Sequence, residues 1–232
     1  MSDATWVLGL DSCKDGWAGI GWSGREVIPL FGVDVKSIVN AFAASVPALA
    51  CVGIDIPIGL PDAGPRVADQ MARDRLIGRA SSVFSTPTRR ALQESDYQRA
   101  LAVQRGLTGA GMSKQAFALG RKILDVDGWL AAAPCPVVEV HPEVSFAAIK
   151  GSPVGASKKT WAGFQERMGL LGSVGLVVPA DAGDLGGHAG PDDVLDAAVV
   201  AWTAMRVARG EAESLPDPPE QFSDGLPAAI WF

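Results

Sequence analysis

The chain has 232 residues, 48% of them hydrophobic and 20% charged, a balance that excludes a disordered polymer and suits one large domain or two small ones. Cys13, Cys51 and Cys135 form no C-x-x-C pair and His141 and His188 stand far apart, which argues against a disulfide scaffold and against thiolate- or imidazole-held zinc. The net charge of −6 is unevenly spread: residues 61–125 hold 11 of the 20 Lys and Arg and 6 of the 26 Asp and Glu, a local +5 against −11 elsewhere.

Thr5 to Asp11 is an apolar run ending in an acid, short enough for a buried strand. Asp15-Gly16 turns the chain, Trp17 to Trp22 returns, Ser23-Gly24 turns again, and Glu26 to Phe31 reads as a third strand. Short turns between apolar runs imply an antiparallel meander. Val35 to Val46 has helical spacing, and Ala50-Cys51-Val52-Gly53-Ile54-Asp55 is another apolar strand ending in an acid. The longest uncharged stretch, Ser37 to Ile54, contains Pro47 and makes a poor membrane span. Met1-Ser2-Asp3-Ala4 lacks the basic start of an export signal, so a cytoplasmic protein is expected.

Residues 61–130 read as interrupted helix, with turn signals at Ser85-Thr86-Pro87 and from Gly106 to Gly111. Pro136 to Val140 returns to strand, Lys158 to Leu171 has an amphipathic helical pattern, and the glycines of Gly183 to Gly190 suggest a mobile loop. Asp192 to Arg209 is a long apolar helix, Pro216 to Asp224 is polar and turn-rich, and Leu226 to Phe232 reads as an edge strand. Because strand material resumes after the basic helical block, the expectation is a single α/β domain over 1–232 with an insertion at about 61–130. Its sheet would be mixed, with three antiparallel strands followed by parallel ones.

Two strands end alike, in Gly9-Leu10-Asp11 and Gly53-Ile54-Asp55. Each puts a carboxylate where a buried strand emerges, and neighbouring strands would bring the two together. Anions in such a place repel one another unless a cation intervenes. The structural alternatives are an Asx turn at Asp11 and a turn cap at Asp55. Asp193 and Asp196, spaced i, i+3, share a helix face. Asp192 and Asp193 also suit the helix start, whereas Asp196 sits in apolar sequence and needs a partner. Glu139 is charged within a strand pattern, either a further ligand or an outward-facing residue. His141 and His188 read first as structural or solvent-facing residues, although the glycine-rich loop of His188 leads into the acidic helix and could carry a proton relay. With so little sulfur and imidazole, a metal here would be a hard ion held by carboxylates.

The first-strand Leu8-Gly9-Leu10-Asp11, the acid at the fourth strand and Asp193-x-x-Asp196-Ala197 on a late helix resemble the ribonuclease H-like superfamily, the helix motif most of all the RuvC-type Holliday-junction resolvases. More closely, Asp55-Ile56-Pro57-Ile58-Gly59-Leu60-Pro61, Arg79-Ala80-Ser81-Ser82-Val83-Phe84 with Pro87, and Glu139-Val140-His141-Pro142-Glu143 resemble the family called domain of unknown function 429, described as predicted ribonuclease H-like nucleases. Where resolvases carry Glu on the fourth strand, this chain has the shorter Asp55.

The resemblance implies a ribonuclease H-like mixed sheet and an Mg²⁺- or Mn²⁺-dependent nuclease. In it Asp11, Asp55, Asp193 and Asp196 would hold two ions for an in-line phosphodiester displacement, with Glu139 as a further catalytic carboxylate. Arg66, Arg73, Arg79, Arg89 and Arg90 of the basic block would bind a nucleic-acid backbone, unless they pair locally with acids such as Asp69 or Asp74. A homodimer would follow by analogy with resolvases. The competing readings are a non-catalytic nucleotide or nucleic-acid binding protein and, less favoured, an ATP-dependent phosphotransferase of the sugar-kinase and actin-like class, for which a second phosphate-binding hairpin is missing.

Overall fold

A computed structural model describes residues 5–232. Met1 to Ala4, on which the expectation about an export signal rests, lie outside the described residues. In chain order the elements are β1 (Trp6–Cys13), β2 (Gly16–Trp22), β3 (Val27–Gly32), α1 (Val35–Ser45), β4 (Leu49–Ile54), α2 (Val67–Arg75), α3 (Arg89–Leu92), α4 (Tyr97–Thr108), α5 (Lys114–Trp129), β5 (Val137–Glu139), α6 (Pro142–Lys150), α7 (Trp161–Ser173), α8 (Leu185–His188), α9 (Pro191–Arg209), β6 (Ser214–Gln221) and β7 (Pro227–Trp231). They divide into two compact units. The first comprises Met1–Ile56, Trp129–Glu213 and Trp231–Phe232, and the second Pro57–Gly128 and Ser214–Ile230.

The first unit is a mixed α/β body around a five-stranded sheet in the order β3-β2-β1-β4-β5. β1, β2 and β3 pair antiparallel, while β4 and β5 join β1 in parallel. Helices cover both faces, and the glycines show how. A Cβ on Gly9 would lie 2.2 Å from the Ala197 carbonyl oxygen of α9, and one on Gly53 would lie 2.9 Å from the Val200 oxygen. A Cβ on Gly21 would strike the Phe42 ring of α1 at 2.3 Å. Gly21 pairs with Leu8, the neighbour of Gly9, and successive strand residues face opposite ways. So α9 packs on one face and α1 on the other.

By the same alternation Asp11 and Asp55, two residues beyond Gly9 and Gly53, belong to the α9 face. The matched Gly-x-Asp endings thus have one cause: glycine lets the helix approach, and the aspartate meets that helix where the strand stops. Residues 194–205 of α9 are all buried, matching a helix that is apolar all round.

In the second unit Tyr97–Thr108 begins at Asp96, whose carboxylate accepts the Gln98 and Arg99 amides, and ends at Gly109 with φ +72°. Ala91, Ala100, Met112 and Ala116 form one of its buried clusters, with Phe84, Val103 and Phe117 packed on them. The turn-rich stretch expected from Pro216 is instead strand β6, which forms a two-stranded sheet with β7. A two-stranded ribbon leaves an unpaired edge, where proline's missing N–H is tolerated. The expected loop at 183–190 contains the short helix α8, with Leu185 buried. Among the described residues no helix is long and apolar enough to cross a membrane.

Candidate functional site

Asp11 is buried near the end of β1, and the Asp55 amide donates to the Leu10 carbonyl at 2.9 Å, so the two aspartates stand side by side on adjacent parallel strands. Glu139 closes β5, paired with Ile54 on the other side of β4, and is 6% exposed, as is Asp11. Asp196, one residue before the Ala197 that packs on Gly9, is buried on α9. Three strand ends and one helix therefore gather four of the predicted carboxylates in the first unit.

Their proton affinities register the crowding. Burial, then Asp55 and Asp196, hold the Asp11 carboxyl well above the usual range. Burial and then the Asp196 charge push Asp55 up to about 8, with Glu139 and Glu143 adding to the rise. Burial lifts Asp196 to about 6, and Lys158 limits that rise. For Asp11 and Asp55, burial and neighbouring charge outweigh any hydrogen bond.

The cation in the cluster is Lys158. Its Nζ donates to Asp196 Oδ2 and stands 3.8 Å from Asp192 Oδ2. Burial works against the charged ammonium, but Asp196, Asp11 and Asp55 together raise its pKa. The helix expected from Lys158 starts instead at Trp161, because the Thr160 hydroxyl caps it by accepting the Gly163 amide at 3.2 Å. Lys158 is therefore a loop residue, free to turn toward α9. That loop is fixed by Arg167, fully buried on α7, which donates to the Ala156 carbonyl at 3.1 Å and, from its other terminal nitrogen, to both carboxylate oxygens of Glu143 on α6 at 2.6 and 2.9 Å. Asp193 has a capping role: its Oδ2 accepts the Gly190 amide at 2.9 Å. Its charge still reaches Asp11.

Sequence reasoning singled out neither Lys158 nor the Glu143–Arg167 pair. A signal was present, since only nine of the 20 basic residues lie outside 61–125, and buried carboxylates in an acidic body must recruit a counter-charge from them. Among the described residues, no three histidine, cysteine, aspartate or glutamate side chains form a ready-made metal-holding group.

Three of the five arginines expected to bind nucleic acid are engaged within the second unit. Arg66 is fully buried and donates to Thr86 Oγ1 at 3.1 Å, while Asp69 accepts the Thr86 amide at 2.6 Å. Arg73 donates to the Val83 carbonyl at 3.1 Å and to Ser85 Oγ at 2.8 Å. Together they fix the chain between Val83 and Thr86. Arg89 forks onto Asp127 and also donates to Asp224 at 2.8 Å. Asp74, weighed as an arginine partner, accepts from Gln70 at 3.0 Å. Arg79 is half-buried beside the 3-10 turn Ala80–Ser82, and Arg90 is exposed. His188 stacks on Phe31 with centroids 3.9 Å apart, near Asp15 and Asp184.

The family model described as a protein of unknown function, DUF429, matches residues 9–221. The chain belongs to DUF429. Its match begins within β1, before Asp11, and ends with β6, so it takes in every carboxylate of the cluster. Neither a curated protein nor a solved structure matches the chain.

Proposed function

We propose that this DUF429 chain is a ribonuclease H-like nuclease that hydrolyses phosphodiester bonds with the help of a divalent cation. The observation that carries the reading is the meeting of Asp11 and Asp55, from adjacent parallel strand ends, with Asp196 of α9. The mixed sheet, three antiparallel strands followed by parallel ones, with one acid near the end of β1 and another just past β4, agrees with what the resemblance implies.

The donor set suits Mg²⁺ or Mn²⁺: hard carboxylate oxygens, crowded enough to raise one another, with one ammonium against at least three of them. Asp11, Asp55 and Asp196 do not stand as a ready-made cage and would have to close on the ion to hold it, with Glu139 and Asp193 at the margin. When bound, such an ion supplies Lewis-acid stabilisation of phosphoryl charge and a more acidic water.

The chain's own residues do the rest. Lys158 neutralises Asp196 in the ion-free state and keeps a positive charge where a phosphate would approach. Burial and the neighbouring carboxylates raise Asp55 to about 8, which favours its protonated form at neutral pH. Arg167 and Glu143 hold the loop that aims Lys158.

Lys158 also favours a second reading, a nucleic-acid binding protein without turnover, because the ammonium already offsets part of the cluster's charge. One experiment separates the two: single-stranded and branched nucleic acids are incubated with Mg²⁺ or Mn²⁺ and wild-type, Asp11→Asn or Asp196→Asn protein. The nuclease reading expects metal-dependent cleavage that falls in both variants by more than the roughly 10–100-fold typical of losing an outer-shell partner. Binding without cleavage in wild type would leave the second reading.

A further inference from the structure

Beside the carboxylates, Lys158, Lys159, Trp161, Phe164, Pro191 and Asp192 line a cavity of about 330 Å³. Its size is at the small end of ligand sites, roughly 300–1,000 Å³, room for one planar group. Trp161 is 76% exposed, an unusual position for so large an apolar ring. Its ring stacks on Phe164, 5.9 Å between centroids and 23° between planes, and leaves most of the indole open to solvent. Lys159 and Lys158 flank it, and Lys158 belongs to both places, lining the cavity while its Nζ holds Asp196.

An exposed ring beside two ammonium groups is the combination that receives a nucleobase with its phosphate. We propose that this cavity seats one unpaired base of a single-stranded nucleic acid on Trp161, with the adjoining phosphate at Lys158 and Lys159. The proposal rests on the nuclease reading for its purpose and gives that site its substrate class: single-stranded rather than fully paired nucleic acid. A polymer is favoured over a free nucleotide by two observations. Both lysines are already partly committed, Lys159 to Asp192 and Lys158 to Asp196. Stacking contributes about 1–3 kcal/mol per base, whereas even a millimolar complex needs about 4 kcal/mol. One base on one ring must therefore be helped by further contacts along a strand.

The test is fluorescence polarisation of a labelled single strand of about 12 nucleotides, with EDTA present so that nothing is cleaved. It compares the full chain with Trp161→Ala and Trp161→Phe, and adds the matching duplex and a mononucleotide as competitors. Because Trp161 is exposed, both variants are expected to melt with the wild type. The expected result is single-strand binding that weakens about 5–150-fold in Trp161→Ala and only a few-fold in Trp161→Phe, with duplex and mononucleotide competing poorly. Equal binding by wild type and Trp161→Ala, or a duplex that binds as well as the single strand, overturns the proposal. A mononucleotide as tight as the strand overturns its polymeric part.

Cleavage with Mg²⁺ distinguishes this failure from that of the nuclease reading. Asp11-dependent cleavage with binding indifferent to Trp161 removes the base site alone. Trp161-dependent binding without any metal-dependent cleavage removes the nuclease and leaves the base site standing.

Discussion

Asp11, Asp55 and Asp196 share one ammonium, and that arithmetic makes Lys158 the residue on which the ion-free site depends. Replacing it by Met leaves Asp196 buried without its nearest cation. Losing one partner of a fully buried pair costs about 3–5 kcal/mol, but the Lys158 side chain is 36% exposed, so a loss of about 1–3 kcal/mol is expected. Urea unfolding with and without Mg²⁺ measures it: added Mg²⁺ should restore more stability to Lys158→Met than to wild type. An equal response in both would mean that Lys158 and the metal do not compete for the same carboxylates. Asp55 makes a pH-dependent prediction. Its folded carboxyl titrates near about 8, against about 3.9 in an unfolded chain, so between those values the native state holds the extra proton. Its favourable contribution is complete below about pH 4 and is lost as pH rises through about 8. Asp55→Asn should therefore gain on wild type steadily from about pH 5 to about pH 8.5, and urea midpoints across that range test it. A constant gap between the two proteins would deny the raised proton affinity.

At the scale of elements, the contact of α9 with β1 and β4 decides whether the carboxylates meet at all. A methyl at position 9 would overlap the Ala197 oxygen and the Ala201 nitrogen, both at 2.2 Å, and a backbone cannot swing aside as a side chain can. Gly9→Ala should lose at least the roughly 1–3 kcal/mol of an overpacked core, measurable by denaturant unfolding. It should also abolish any metal response that depends on Asp11 and Asp196 together. The wild-type midpoint would show that α9 tolerates displacement. The strands and the long apolar helix were readable in the sequence because each carries its periodicity within a few residues. The acids at Asp11, Asp55 and Asp196 stood out because each is a charge at the edge of an apolar run. Lys158 did not, since its role depends on Thr160 ending a loop and Arg167 holding Ala156, and neither relation is periodic. Strand β6 was hidden by Pro216, Pro218 and Pro219, which are compatible with a strand only because its sheet has two members.

For the molecule as a whole, the charge division between 61–125 and the rest invites a large electrostatic contribution to nucleic-acid binding. The hydrogen bonds of the second unit reduce that expectation. Arg66 is enclosed, Arg73 is bound to the chain at Val83 and Ser85, and Arg89 is shared between two aspartates. An arginine whose donors are committed releases few counterions when a phosphate arrives, whereas an exposed one contributes about 0.7 to the salt slope on single strands. Arg90→Ala should accordingly lower the slope of log affinity against log salt by about that amount and leave the melting temperature unchanged. Arg73→Ala should do the reverse, keeping the slope while losing roughly 0.5–1.5 kcal/mol of stability with its bond to the partly buried Val83 carbonyl, since water can replace it at the exposed Ser85. Binding of the same single strand between about 50 and 200 mM salt, beside thermal melts, separates the two behaviours. If Arg73→Ala flattened the slope as much as Arg90→Ala, its hydrogen bonds would be dispensable, and the positive balance of 61–125 would act on nucleic acid at nearly full strength.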